Sequence, residues 1–279
     1  MAKHIVCLTF DFDAISGFVA RGQRTPSAIS RGEFGPRVGA PRLLALLKKY
    51  RIASSWYVPG HTIDTFPDAV EAVVDAGHEI AHHGWKHVSP SAYTRDEEEA
   101  ELVRGNEAIK RISGQYARGY RSPSWDLSPH TVELLIKHGF TYDSSMMGDD
   151  YTPYYARTGD VIELEQPARF GRTTPLVEMP ISWSTDDAPH FEFMRLGDAI
   201  RPGLMNARLV LENFADDFVH MKRSVKWGVL TYTFHPFIIG RGHRLLMLEQ
   251  LIRKLKGGGA VFQRVDASVE EFRKRSPVS

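Results

Sequence analysis

The sequence predicts an α/β fold, a distorted (β/α) barrel of seven or eight parallel strands, in a single domain spanning residues 1–279. Three observations lead there. Short apolar runs alternate with longer segments of helical period, the pattern of parallel strands joined by crossover helices. Four polar clusters each stand just after one of those runs, where barrels gather their working groups. The length and the 42% hydrophobic content suit one such domain. An open doubly wound sheet is the main alternative. Neither a G-x-G-x-x-G turn nor a P-loop is present, so nucleotide binding lacks support.

Taken in order, Ile5–Phe10 reads as a buried strand. Phe12–Val38, rich in Gly, Arg and Ser, breaks the alternation and reads as a long irregular segment. Pro41–Tyr50 sets Leu43, Leu44, Leu46 and Leu47 on one helical face, and Ala53–Val58 is the next strand. Asp64–Ala76 repeats helical spacing before the strand Glu79–Ala81. Asp96–Ile112 is a charged helix with Leu102, Ala108, Ile109 and Ile112 inside. The strands Ala117–Tyr120 and Thr141–Asp143 bracket a helix over Ser128–His138. Met146–Phe170 is a second irregular stretch. Leu176–Met179 and Val229–Phe234 read as strands flanking a helix over Asn206–Arg223. The helix Leu245–Lys256 is stopped by Gly257–Gly259, and Ala260–Phe262 is the last strand.

Lys+Arg of 35 against Asp+Glu of 34 gives a formal charge of +1, so the basic excess of a nucleic-acid binder is missing. The single cysteine, Cys7, excludes an internal disulfide and a cysteine-rich metal site; within its apolar run it reads as core rather than nucleophile. No signal-peptide h-region is visible and no apolar stretch approaches the roughly 20 residues of a membrane helix. The expectation is a soluble, cytoplasmic protein without nucleic-acid or membrane partners.

The first cluster is Thr9-Phe10-Asp11-Phe12-Asp13. Alternation at a strand end points Asp11 and Asp13 to one side, where they repel unless a cation or proton separates them; ordinary loop aspartates are the bland reading. The second is His82-His83-Gly84-Trp85-Lys86-His87. His83 and His87 stand at i and i+4, which on a helical turn would bring both imidazoles to one metal; His82 competes with His83 but fits that face less well. Two histidines and a carboxylate leave open positions on a cation, as catalytic sites do. In the third, Arg121-Ser122-Pro123-Ser124-Trp125, the guanidinium is able to fork onto Asp11, and Trp125 to wall a pocket. In the fourth, Thr233-Phe234-His235-Pro236, a histidine past a late strand is placed to act as a general acid.

These residues, in this order, resemble the polysaccharide deacetylase family, the NodB-homology or carbohydrate esterase 4 fold. The matching motifs are Thr9–Asp13, His83–His87, Arg121–Trp125 and Phe234–His235. Phe12 is inserted between the aspartates, and the histidine motif departs from the usual one. Together with Asp149–Tyr154 and Trp183–Asp187, this is similar to a branch holding Helicobacter-type peptidoglycan deacetylase-like proteins, allantoinases and cyclic imide hydrolases.

The resemblance implies a distorted (β/α) barrel. One divalent metal, zinc first and cobalt, nickel or iron as alternatives, would sit on Asp13, His83 and His87, although one member type of the branch works without metal. Asp11 would be the base, held by Arg121, and His235 the acid. Trp125, Asp150 and Trp183 would line the substrate pocket. Branch members tend to be cytoplasmic homo-oligomers. The reaction implied is hydrolysis of a non-peptide amide C–N bond: removal of an N-acetyl group from a sugar, or opening of a small cyclic imide or ureide. A homologue that binds carbohydrate or metabolite without turnover is the reading from another class.

Overall fold

The strand β1 (Lys3–Asp11) is the axis of the sheet, and its alternation sets the inside and outside of the molecule. Val6, Leu8 and Phe10 face outward into the main core under the helices, whereas Ile5 and Cys7 face a second, inner core. Further along the inner face come Thr9 and then Asp11, so the interior turns from apolar to polar toward the strand's C-terminal end. The computed structural model describes residues 2–196 and 199–278.

Seven further strands follow β1 in the main sheet's parallel pattern or on its edge: β2 (Ser55–Val58), β3 (Glu79–His82), β4 (Gly119–Tyr120), β5 (Tyr142–Asp143), β6 (Tyr154–Thr158) and β7 (Arg172–Glu178), then, after the small hairpin β8 (Met194–Leu196) and β9 (Ala199–Arg201), β10 (Trp227–Phe234). A last strand, β11 (Val261–Phe262), pairs with β1. The order is β10-β1-β2-β3-β4-β5-β7-β6, parallel throughout except for β6. β1 and β10 stay in register from Lys3↔Trp227 to Phe10↔Phe234. The sheet curls without closing: β10 and β6 end the path, and the gap is bridged by local contacts such as the Val229 amide to the Tyr151 carbonyl. All eight strands expected from the sequence are present, and the α/β, distorted-barrel class is the one observed.

Three expectations need correction. Phe12–Val38 is mostly helical: helices at Ser16–Ala20 and Pro26–Phe34, then a π-helical turn at Gly35–Gly39 running into the helix Ala40–Tyr50. Thr25 caps the second helix by accepting from the Ala28 amide, with Pro26 in its first turn. One glycine of that stretch serves close packing instead of a loop: a Cβ on Gly32 would lie 2.6 Å from the Ala14 carbonyl oxygen. The segment Asp64–Ala76 is two helices, Gly60–Thr65 and Pro67–Asp75, because Phe66 leaves helical geometry ahead of Pro67. Met146–Phe170, expected to be irregular, contains β6.

A helix at Val265–Arg275, also unanticipated, closes the barrel's lower end. Its Val265, Val269 and Phe272 complete the inner core with Ile5, Cys7, Tyr57 and Val229. The first turn is anchored by buried acceptors: the Val265 amide donates to Ser55 Oγ, and the Asp266 amide to Glu79 Oε2 at 3.2 Å. Burial, with Asp266 nearby, pushes the Glu79 carboxyl up to about 7. Burial also pushes the Cys7 thiol up to about 12, which keeps it an inert core residue as expected.

At the same end, the Ser54 amide donates to His78 Nδ1 at 3.1 Å, so that nitrogen must keep its lone pair. Burial, then the charge of Arg264, lowers His78 to about 4. The unfolded chain binds this proton below about 6.5 while the folded chain refuses it until about 4. Stability attributable to His78 is therefore complete above that upper value and lost as pH falls through the window. Denaturant melts between pH 7 and pH 4 are expected to show a shallower acid loss in His78→Gln, which keeps an acceptor and cannot titrate.

Candidate active site

Every strand-end cluster turns toward the same mouth of the barrel. Asp11 ends β1, and the Phe12 amide donates to the Tyr57 carbonyl at 2.8 Å, so strand geometry continues far enough to bring Asp13 to the same side. Phe12 points the other way, fully buried and edge-on to Trp56 at 5.4 Å between centroids. The inserted Phe12 thus serves the helix-side core while its neighbours serve the mouth.

His83 and His87 follow β3, but not on a helix. Gly84 and His87 adopt left-handed backbone, φ +69° and +58°, and it is this folded loop that brings the two rings to 5.0 Å between centroids. The helical turn inferred from the i, i+4 spacing is therefore wrong, though the pair converges. Neighbours hold the loop in place: the Gly60 amide donates to the Gly84 carbonyl, His61 to that of Trp85, and the Lys86 amide to Glu101 Oε2. Arg104 lies 3.2 Å over the Trp85 ring. His82 turns into the helix layer, with Nδ1 accepting from the Gly84 amide and Nε2 donating to the Leu102 carbonyl at 3.0 Å.

The Asp13 carboxylate lies 3.5 Å from His83 Nε2 and 3.2 Å from His87 Nε2. One ligand atom from each of the three residues falls within 4.8 Å of the others. The His83 Nδ1 atom is 2.7 Å from the Arg121 carbonyl, a partner that only accepts, so Nδ1 carries the hydrogen and Nε2 presents its lone pair to Asp13. Burial holds His83 below its ordinary value, against the pull of Asp11 and Asp13. Burial would raise Asp13, but His87, His235 and His83 outweigh it and hold the carboxyl far below the usual range. Asp13 Oδ1 is buried with no hydrogen-bond partner. A buried anionic oxygen without a donor, beside the His83 Nε2 lone pair and with the second imidazole of His87 next to it, is a donor set that fits a divalent cation.

Arg121 is fully buried beside this group. Its Nη1 donates to Asp11 Oδ1 at 2.7 Å and to Thr9 Oγ1 at 2.9 Å; Nε and Nη2 donate to the carbonyl and hydroxyl of Ser144, both at 3.0 Å. The Tyr57 ring lies 3.9 Å beneath the guanidinium. Asp11 Oδ2 remains 3.9 Å from His83 Nε2, so one carboxylate oxygen is held and the other faces the cluster. Below Ser144, Glu178 Oε1 accepts the amides of Ser145 and Met146, and burial raises both Glu178 and its neighbour Asp143.

His235 completes the mouth from β10, with Nε2 3.8 Å from Asp13 Oδ2. Its Nδ1 donates to Asp187 Oδ1 at 2.7 Å and stands 3.5 Å from Asp186. Burial opposes the charge on His235, but Asp186 and Asp187 overcome it and keep the imidazolium well above the ordinary range. These two aspartates were missed as site residues, although their segment was noticed. A parallel bridge from Asp186 to Thr233 brings them to the end of β10. An Asp-Asp doublet after a strand was the signal, and asking which group orients His235 would have used it. Asp186, Asp187 and His235 form a second compact donor group, but there hydrogens already occupy the space between the charges, unlike the orphaned oxygen of Asp13.

Trp125 and Trp183 stack with centroids 4.1 Å apart and planes 18° apart. Trp125 is buried, with φ +54°, while Trp183 is 42% exposed, an apolar ledge at the rim. Asp150 lines a cavity with Asp217, Ser182, Ser184, Thr185 and Thr231, beside the stretch that carries Trp183.

A model of the family described as polysaccharide deacetylase matches residues 2–142. The chain belongs to the polysaccharide deacetylase family. It is 38% identical to a Helicobacter pylori protein named peptidoglycan deacetylase, over 99% of this chain and 99% of that one. A peptidoglycan deacetylase-like protein of Gibberella zeae is 29% identical, over 91% of this chain and 81% of the relative. A crystal structure of a candidate polysaccharide deacetylase from Mycobacterium smegmatis matches with a TM-score of 0.87 at 31% identity, covering 100% of this chain and 93% of that one. An allantoinase matches with a TM-score of 0.80 at 20% identity, covering 100% and 93%, a likeness of fold alone. As a polysaccharide deacetylase family member, the chain is a hydrolase of a non-peptide carbon–nitrogen bond, and the family's general metal dependence suits the Asp13, His83 and His87 group.

Two predictions follow from this geometry. A Cβ on Gly105 would lie 2.4 Å from His82 Nε2 and 3.1 Å from the Gly84 carbonyl. Gly105→Ala is thus expected to destabilise by about 1–3 kcal/mol through overpacking, despite a helix-propensity gain of about 1 kcal/mol; a melting curve checks it. Zinc at a hundredfold excess over its Kd should stabilise the metal-free protein by about 2.7 kcal/mol. Asp13→Ala should abolish that increment and the bound metal measured by elemental analysis.

Proposed function

We propose that this chain removes N-acetyl groups from amino-sugar residues of the peptidoglycan type, with residues 1–279 acting as one catalytic domain. The observation that carries the reading is the position of Asp11 and His235 on two sides of the Asp13, His83 and His87 group, one tied to a guanidinium and the other to a carboxylate. The substrate class comes from the 38% identical Helicobacter pylori relative, matched end to end. In this reading Asp13, His83 and His87 hold one divalent cation, zinc by the chemistry of two imidazoles and a carboxylate. When bound, it would polarise the substrate carbonyl and make an attacking water more acidic.

The chain's own groups do the rest. Asp11 takes the proton of the attacking water through Oδ2, while Arg121 holds Oδ1 and aims the carboxylate. His235 carries a proton because Asp186 and Asp187 hold it, and its Nε2 passes that proton to the departing amine nitrogen. Without it the nitrogen would leave as an amide anion. Trp125 and Trp183 offer flat apolar surface for a sugar ring. Assembly as a homo-oligomer and a cytoplasmic location complete the proposal; among the described residues no helix is long and apolar enough to cross a membrane.

Acetate release from N-acetylglucosamine oligomers and muropeptides tests the reading, with ring opening of hydantoin-like compounds as the contrasting assay. Asp11→Asn and His235→Ala should each lower kcat by about 10²–10⁴-fold at unchanged metal content. Near-full turnover in either variant removes its assigned role, and ring opening without acetate release removes the substrate class. Asp187→Asn takes away a charge that raises His235. The imidazole should then lose its proton at lower pH, moving the alkaline limb of the kcat profile acidward.

A further inference from the structure

Asp143 ends β5 and Glu178 ends β7, and the two residues are partners across that parallel pair. Both side chains are fully buried. Glu178 Oε1 accepts the amides of Ser145 and Met146, each at 2.9 Å, and Asp143 Oδ1 accepts the Ser145 hydroxyl at 2.7 Å. The two remaining oxygens, Asp143 Oδ2 and Glu178 Oε2, meet no donor, although the carboxyls lie in hydrogen-bonding contact with each other. Two bare carboxylates in contact repel, and neither has a hydrogen to give. One proton between them removes the repulsion and satisfies both oxygens. It belongs on Glu178, which burial and then the charge of Asp143 raise well above the ordinary range. Burial raises Asp143 too, but hydrogen bonds from Glu178, Ser145 and the Ser144 amide oppose it.

The pair fixes the turn Ser144–Ser145, and two lines of hydrogen bonds leave that turn for the site. In the first, Ser145 Oγ accepts the Ser122 amide at 2.8 Å. That amide shares its peptide unit with the Arg121 carbonyl, which accepts from His83 Nδ1 at 2.7 Å. In the second, the carbonyl and hydroxyl of Ser144 accept from the Arg121 guanidinium, which donates in turn to Asp11 Oδ1. Hydrogen bonds in series polarise one another, and the partners behind a functional group fix its orientation.

We propose that Asp143 and Glu178 share a single proton, and that the turn they brace positions His83 and Arg121 together, so that one buried acid pair aligns both halves of the centre. Asp143, Glu178 and Ser145 are then positioning residues for the reaction. Their service to catalysis rests on the reading given above for His83 and Arg121; the shared proton does not.

Infrared difference spectra and kinetics on the zinc-loaded protein test this. At neutral pH the carbonyl stretch of a neutral carboxylic acid should appear in the wild-type protein and be missing from Glu178→Gln. Ser145→Ala leaves both acids in place and cuts the first line. It should lower kcat for acetate release by about 10–100-fold at unchanged KM, and shift the resonance of the His83 Nδ1 hydrogen. Glu178→Leu should lower kcat likewise. Glu178→Gln should restore it, because its amide oxygen accepts the same two amides and its NH₂ donates to Asp143 as the acid does. A role in folding alone would lower the melting temperature and leave kcat of the folded protein unchanged. A missing acid band overturns the proposal. So does Ser145→Ala with unaltered turnover and His83 resonance, or a loss in Glu178→Gln as deep as in Glu178→Leu. Wild-type protein that releases no acetate would remove the deacetylase reading instead, and the band and the resonance would still decide the acid pair.

Discussion

The constraint on which the site depends is electrostatic. Asp11, Asp13, Asp186 and Asp187 are all buried at the barrel mouth, between 0% and 6% exposed. Four carboxylates so placed would repel one another and unfold the mouth unless each met positive charge or a proton. Arg121 answers Asp11, and His235 answers Asp187 and Asp186. Asp13 is left with imidazoles alone and one oxygen that nothing donates to. In the proposed reading a cation at that point completes the network, on a donor set that suits the family's general metal dependence.

β1 makes this possible because one face of one strand does two jobs. Its lower half contributes Ile5 and Cys7 to an inner core sealed by the C-terminal helix, and its upper half contributes Thr9 and Asp11 to the site. The opposite face, ending in Phe10 and Phe12 against Trp56, fixes the strand in the helix layer. A shift of one residue in register with β10 would exchange these faces and bury Phe12 among the carboxylates. The long β1–β10 pairing guards against that slip.

Strands, the α/β class and the positions of the polar clusters were legible in the sequence because period-two burial and strand-end placement are local properties. Asp11, Asp13, Arg121 and His235 could be read as a group from those positions alone. What was not legible depended on contacts between distant segments. The glycines of Phe12–Val38 looked like loop residues, but Gly32 sits where the Ala14–Ile15 backbone passes too close for a Cβ, a fact known only once the two helices are packed together. The histidine spacing suggested a helical turn, whereas left-handed Gly84 and His87, pinned from Gly60, His61 and Glu101, bring the rings together. Asp187 escaped because its partner lies 48 residues away.

Of the three imidazoles at the mouth, His83 and His235 suit the different roles proposed for them because of what lies behind each. His83 hydrogen-bonds through Nδ1 to a neutral carbonyl, that of Arg121. Such a partner fixes the tautomer without paying for a positive charge, so the buried ring stays neutral and its Nε2 lone pair is free to bind a cation. His235 hydrogen-bonds through Nδ1 to a carboxylate, with a second one 3.5 Å away, and is held as an imidazolium whose Nε2 carries a proton. Exchanging these partners would exchange the proposed chemistry: a carboxylate behind His83 would favour its proton over a metal, and a carbonyl behind His235 would remove the charge that suits it to the proposed role of acid. The division of labour at the site is therefore written in atoms that touch neither cation nor substrate.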